Sequence, residues 1–139
     1  MSRRERITAT GHENVSAEHA STFEVTSEDF LTEAGDCILG IEADRAPAEF
    51  DPGFVAAASD DAASITAVMA ADGERAEITG RGDSRLTFES EVSLVGRTSE
   101  YVDDRTIMVE ADAAAADLDR ELVAALAAGA ELTVELRVE

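Results

Sequence analysis

The chain has 139 residues, with 31 acidic side chains against 11 basic ones, a formal net charge of -20. Every basic residue is arginine, and alanine alone accounts for 26 positions. That balance disfavours nucleic acid and anionic membrane surfaces as partners, since both select basic faces. No run approaches the roughly 18 apolar residues of a membrane span, and the opening MSRRER leads into no apolar stretch of a secretory signal. One cysteine leaves no intrachain disulfide and no thiol-rich zinc site. High charge with few aromatics is also the mark of disorder, but the apolar residues here recur with regular periods. Molar salt shortens the screening length to about 3 Å and removes most of the self-repulsion. The composition therefore reads as that of a cytoplasmic protein from a salt-rich, halophilic interior, and the charge describes the solvent.

Taken in chain order, the pattern occurs twice. Glu42-Ala43-Asp44 returns as Glu110-Ala111-Asp112, and the stretch from Glu49 to Ala57 returns as Asp117 to Ala125. The halves run approximately over 6–71 and 75–138, an internal duplication within a single domain, because each half alone would be marginal. Each half opens on a short strand, 6–10 and 75–79. A longer alternating strand follows, with Val15, Ala17, His19, Ser21, Phe23 and Val25 on one face. Its counterpart places Leu86, Phe88, Ser90, Val92 and Leu94 inside. A further strand is predicted at 37–43 and again at 106–111.

A short helix comes next in each half. Asp51 is an N-cap with Pro52 in the first helical position, and Asp119 caps the second helix. Phe50 staples onto Val55 and Leu118 onto Val123, and Gly129 supplies a C-terminal stop. A last strand closes each half, 64–70 and 131–138. Asp72-Gly73 is a hairpin signal at the junction. The fold class is mainly β: an antiparallel β-sandwich with two short helices, with α+β as the alternative.

Gly11-His12-Glu13-Asn14-Val15, His19, Leu31-Thr32 and Gly35-Asp36-Cys37-Ile38 together resemble the archaeal domain-of-unknown-function family 371. The later Asp104-Arg105-Thr106, Ala111-Asp112 and Asp117-Leu118-Asp119-Arg120 extend the resemblance over nearly the whole chain. It implies a jelly-roll-like sandwich with short helices and brings no activity with it. Glu13 stands where the family pattern has proline, and the lysines of its second half are missing.

Differences between the halves mark the candidate site. Both histidines and the cysteine lie in the first half. His19 aligns with Phe88 and His12 with Arg81, and Leu31–Cys37 is about three residues longer than Val102–Arg105. His12, His19, Asp36 and Cys37 are the candidate polar pocket. Imidazole, carboxylate and thiol together are also a ligand set for Zn²⁺ or another transition metal, or a His–Cys base and nucleophile. The competing reading is a hydrogen-bonded core histidine beside an inert buried thiol, and no HxH, HExxH or CxxC spacing supports a metal.

The outward Glu42/Asp44 and Glu110/Asp112 fit turn roles better than acid/base catalysis. Arg3, Arg4 and Arg6 form a solvated basic cluster, and Gly80-Arg81-Gly82-Asp83 reads as a turn, not a phosphate loop. No catalytic residue, cofactor or ligand is assigned, and a homo-oligomer is left open. The leading reading is a non-enzymatic binding module, with a small metal-dependent or thiol enzyme as the alternative.

Overall fold

The computed structural model describes residues 3–139. Among the described residues, eight strands form two four-stranded sheets, and neither closes into a barrel. The first sheet holds β1 (Arg3–Thr10), β4 (Ser64–Ala71), β5 (Glu74–Arg81) and β8 (Glu131–Val138), in the order β1–β8–β4–β5. All its pairs are antiparallel. The second sheet holds β2 (Thr22–Thr26), β3 (Ile38–Gly40), β6 (Ser93–Arg97) and β7 (Thr106–Met108), in the order β3–β2–β6–β7.

The alternation that predicts β8 is obeyed: Leu132, Val134, Leu136 and Val138 are buried, while Glu131 is exposed. Phe23, Val25, Leu94 and Ile107 of the second sheet face Ile7, Met69 and Val134 of the first across a narrow apolar gap. Each large side chain buried there contributes about 2 kcal/mol. Asp72 and Gly73 have φ of 49° and 81°, the geometry of a two-residue turn, and join β4 to β5 as the sequence predicts.

Helices α1 (Pro52–Ala58) and α2 (Arg120–Ala127) begin at the expected caps. Asp51 accepts from the Gly53 N–H at 3.1 Å and Asp119 from the Glu121 N–H at 2.8 Å. Phe50 packs edge-on against Phe54, with ring centroids 5.6 Å apart, and Gly129 ends α2 at φ 91°. A 3₁₀ turn precedes each helix, at Pro47–Glu49 and Ala115–Asp117, which the sequence does not announce. The order of three strands, a 3₁₀ turn, a helix and a strand thus occurs twice.

Several expectations are corrected. The second sheet is mixed, because β2–β3 and β6–β7 are parallel. Long connections, residues 27–37 and 98–105, carry the chain back to the same end of the sheet, which a tight turn cannot do. The strand predicted over 14–25 shrinks to β2, and its counterpart to β6. Ala17 and Phe88 sit at φ 49° and 51°, a left-handed conformation no strand accommodates. Their alternating burial comes from loops folded over the core, and Val92, predicted inside, is exposed. The strands predicted at 37–43 and 106–111 are three residues each, followed by single bridges at Ile41 and Val109. Gly80 and Arg81 belong to β5, so the turn there begins at Gly82.

Candidate functional site

Gly11 carries the chain out of β1 and packs against the end of α2, its N–H donating to the Ala130 carbonyl at 2.8 Å. His12 follows, half-buried, and its Nδ1 accepts from the Asn14 N–H at 3.0 Å. The Asn14 amide donates to the Leu31 carbonyl at 2.8 Å and ties this loop to the connection between β2 and β3. Farther on, His19 Nδ1 accepts from the Thr22 N–H at 3.1 Å and lies 3.0 Å from the Thr22 hydroxyl. The Asp36 carbonyl accepts from the N–H groups of Glu18 and His19, at 3.0 and 3.3 Å.

These bonds revise the alignment of the halves. The Ser90 N–H donates to the Asp104 carbonyl as His19 donates to Asp36, and Ser90 Oγ accepts from the Val92 and Ser93 N–H groups. His19 therefore stands opposite Ser90, not Phe88. His12 stands opposite Asp83, not Arg81, because Asp83 Oδ1 accepts from the Arg85 N–H at 2.8 Å in the same manner. Both histidines act as acceptors that close turns, a task a serine and an aspartate perform in the second half. The loop connections misaligned the sequences by two residues.

Cys37 is half-buried and turned toward β2, its Sγ 3.4 Å from Glu24 Oε1. Burial, reinforced by the Glu24 charge, pushes the thiol up to about 11. That is the reverse of what a thiolate nucleophile needs. Of the four predicted site residues, Asp36 and His19 meet through the backbone, while the side chains of His12 and Cys37 are engaged elsewhere. Among the described residues no group of three or more His, Cys, Asp or Glu is placed to hold a metal ion.

Beside these residues lies a cleft of about 510 Å³ between the 11–21 loop and the 27–37 connection. Glu13, Asn14, Ser16 and Glu18 form one wall; Glu33 and Asp36 form the other. The wall exists because the 27–37 connection has eleven residues where 98–105 has eight. In the second half, Arg85 occupies the position of Asn14. Its guanidinium bonds both oxygens of Asp83 and reaches the Glu100 carbonyl, tying that loop down with a long cationic side chain.

Sequence reasoning missed four side chains that fix the loops of the two halves. Glu24 is hidden in an alternating strand, and only the fold sets it against Cys37. Arg97 is buried on β6, donating to Thr106 and Asp103, and stacks on Tyr101 at 4.7 Å. Asp103 is held down to about 2: burial opposes this, but hydrogen bonds from Arg105 and the charge of Arg97 outweigh it. Arg120 reaches from α2 to the carbonyls of Ser16 and Ala17, more than a hundred residues away. No local signal reports such a partner. The paired Asp44 and Asp112 do serve as turn groups, accepting from the Thr8 and Thr79 N–H at 2.9 and 3.0 Å.

No helix among the described residues is long and apolar enough to cross a membrane. Among known proteins, the chain is similar to an uncharacterized protein of the archaeon Methanocaldococcus jannaschii. The two are 38% identical over 132 residues, which is 95% of this chain and 97% of that one. The family model described as a domain of unknown function (DUF371) matches residues 7–139. A match of that extent, together with so similar a relative, shows that the chain belongs to this family, described as a domain of unknown function.

Proposed function

We propose that the protein is a non-enzymatic binding module whose ligand enters the cleft between residues 13–18 and 33–36. The observation that carries this is the asymmetry of the two loops: the connection that is longer in the first half opens a cleft there, and its counterpart is tied down by Arg85. Carboxylates accept hydrogen bonds and donate none, so Glu13, Glu18, Glu33 and Asp36 select a cationic, donor-rich ligand such as an amine or a guanidinium. His12 and His19 frame the wall by closing its turns, and Cys37 continues the far side.

The architecture supporting this reading is a single β-sandwich domain made by internal duplication of a unit spanning 6–71 and 75–138. The repeated element order and the matched bonds of His19 and Ser90 speak for it. The lysine-free, acidic surface fits a salt-rich cytoplasm. The enzyme alternative draws no support from Cys37, whose surroundings keep its proton in place.

Titration of ¹⁵N-labelled protein with agmatine, which carries a guanidinium and an ammonium, tests the proposal at low salt. Amide shifts confined to residues 13–18 and 33–36, abolished by Glu33→Gln with Asp36→Asn, are expected. Shifts spread over the acidic surface at large, or none at millimolar ligand, would overturn it. Metal analysis of protein purified without chelator addresses the metalloenzyme alternative, which requires stoichiometric metal.

A further inference from the structure

We infer that Arg120 is the positioning residue of the cleft, so that a helix of the second half fixes the wall on which the first half binds its ligand. The inference rests on the cleft reading above and adds to it a residue that does not line the cleft. Arg120 is the first residue of α2, and its guanidinium is ringed by five carbonyl oxygens at 3.0–3.4 Å. Three of them, from Ala115, Ala116 and Leu118, belong to its own neighbourhood. The other two, from Ser16 and Ala17, belong to the wall, at 3.2 and 3.1 Å. The grip is two-sided, because the Ala116 N–H also donates to the His19 carbonyl at 3.0 Å.

The wall needs such a hold. Ala17 is fully buried at φ 49°, a conformation costly for a residue with a Cβ; its counterpart Phe88, at φ 51°, is anchored by its ring against Phe50 and Phe54, whereas Ala17 has no ring and its carbonyl is bonded by Arg120. A planar guanidinium spreads five N–H donors over a wide arc and serves several carbonyls at once; an ammonium on a flexible stem does not. The second half supplies an independent comparison. Its own loop keeps the equivalent backbone bond, Ala48 N–H to the Ser90 carbonyl at 2.9 Å, but Pro52 stands where α2 has Arg120. The loop beside the cleft is gripped from a helix of the other half, whereas its counterpart is held by its own Arg85.

The decisive experiment is Arg120→Lys, which keeps the charge and loses the fork. Amide hydrogen exchange is read at Glu18 and His19, which donate to the Asp36 carbonyl across the cleft. Ser90, which makes the matching bond to Asp104, is the internal control. Exchange at Glu18 and His19 is expected to rise about tenfold or more with Ser90 unchanged, the mark of local opening. Agmatine affinity is expected to fall in parallel. An equal rise at all three amides shows mere global destabilisation and overturns the inference. So does unchanged exchange, or faster exchange with undiminished affinity. Absence of agmatine shifts in the unsubstituted protein sinks the cleft reading instead, and the exchange experiment then still decides whether Arg120 holds the wall.

Discussion

Cys37 shows how a residue's surroundings dispose of a chemical option that its identity leaves open. Its thiol ionises at about 11 in the folded protein instead of at the ordinary 9.0, through burial first and Glu24 second. The unfolded chain therefore releases this proton at lower pH than the folded one. The associated stability is intact below about pH 9 and declines as the pH rises toward 11. Thermal melts across that window should show the decline in the wild type and a reduced slope in Cys37→Ala. Alkylation by iodoacetamide at neutral pH should be slow until the protein unfolds. His19 yields a second expectation. Because Ser90 does its work in the other half, His19→Ser should keep the turn, whereas His19→Phe removes the acceptor and costs about 1 kcal/mol. Denaturant unfolding of the two variants side by side measures the difference.

Elements divide into those the sequence announces and those it hides. β4, β5 and β8 alternate cleanly, since each has one face in the core and one in water, and the caps at Asp51 and Asp119 are local chemistry. Alternation reports burial and not hydrogen bonding, so the long loops carry a strand's pattern without being strands. Val15 and Ala17 point inward from a loop as regularly as they would from a strand. The site was legible to the extent that His12, His19, Asp36 and Cys37 all lie on or beside the cleft's two segments. Their turn-closing bonds, and Arg120 across more than a hundred residues, depend on tertiary placement. Gly11 and Gly82 are elements' meeting points: a Cβ on either would overlap a backbone carbonyl, of Leu126 in α2 or Ala58 at the end of α1. Gly11→Ala and Gly82→Ala should each cost about 1–3 kcal/mol, measured by chemical denaturation, since helix and strand must part to admit a methyl group.

At the scale of the whole molecule, the dominant quantity is the net charge of -20. Most of the arginines already pair with named carboxylates: Arg45 with Glu5, Arg75 with Glu77, Arg81 with Asp83 and Glu110, Arg85 with Asp83, Arg97 and Arg105 with Asp103, and Arg4 and Arg137 with Glu135. The remaining carboxylates repel one another, and that repulsion is what salt screens. The melting temperature should climb steeply from low salt toward molar KCl, and the steepest part should lie where the Debye length drops below the spacing of surface charges. A flat profile would contradict the salt-rich origin proposed for the composition.

The strand order also dictates a timetable. β8, the last strand of the chain, lies between β1, the first, and β4, with Arg3 paired to Val138 and Ile65 paired to the same residue from the other side. A growing chain that has made only β1 to β7 holds two edges with a gap between them. The first sheet cannot zip up from its N-terminal strand; it closes like a drawstring, when β8 arrives. Folding of the first sheet therefore waits until β8 has been made. Contacts of such long sequence separation place the protein among slow folders, whatever its final stability.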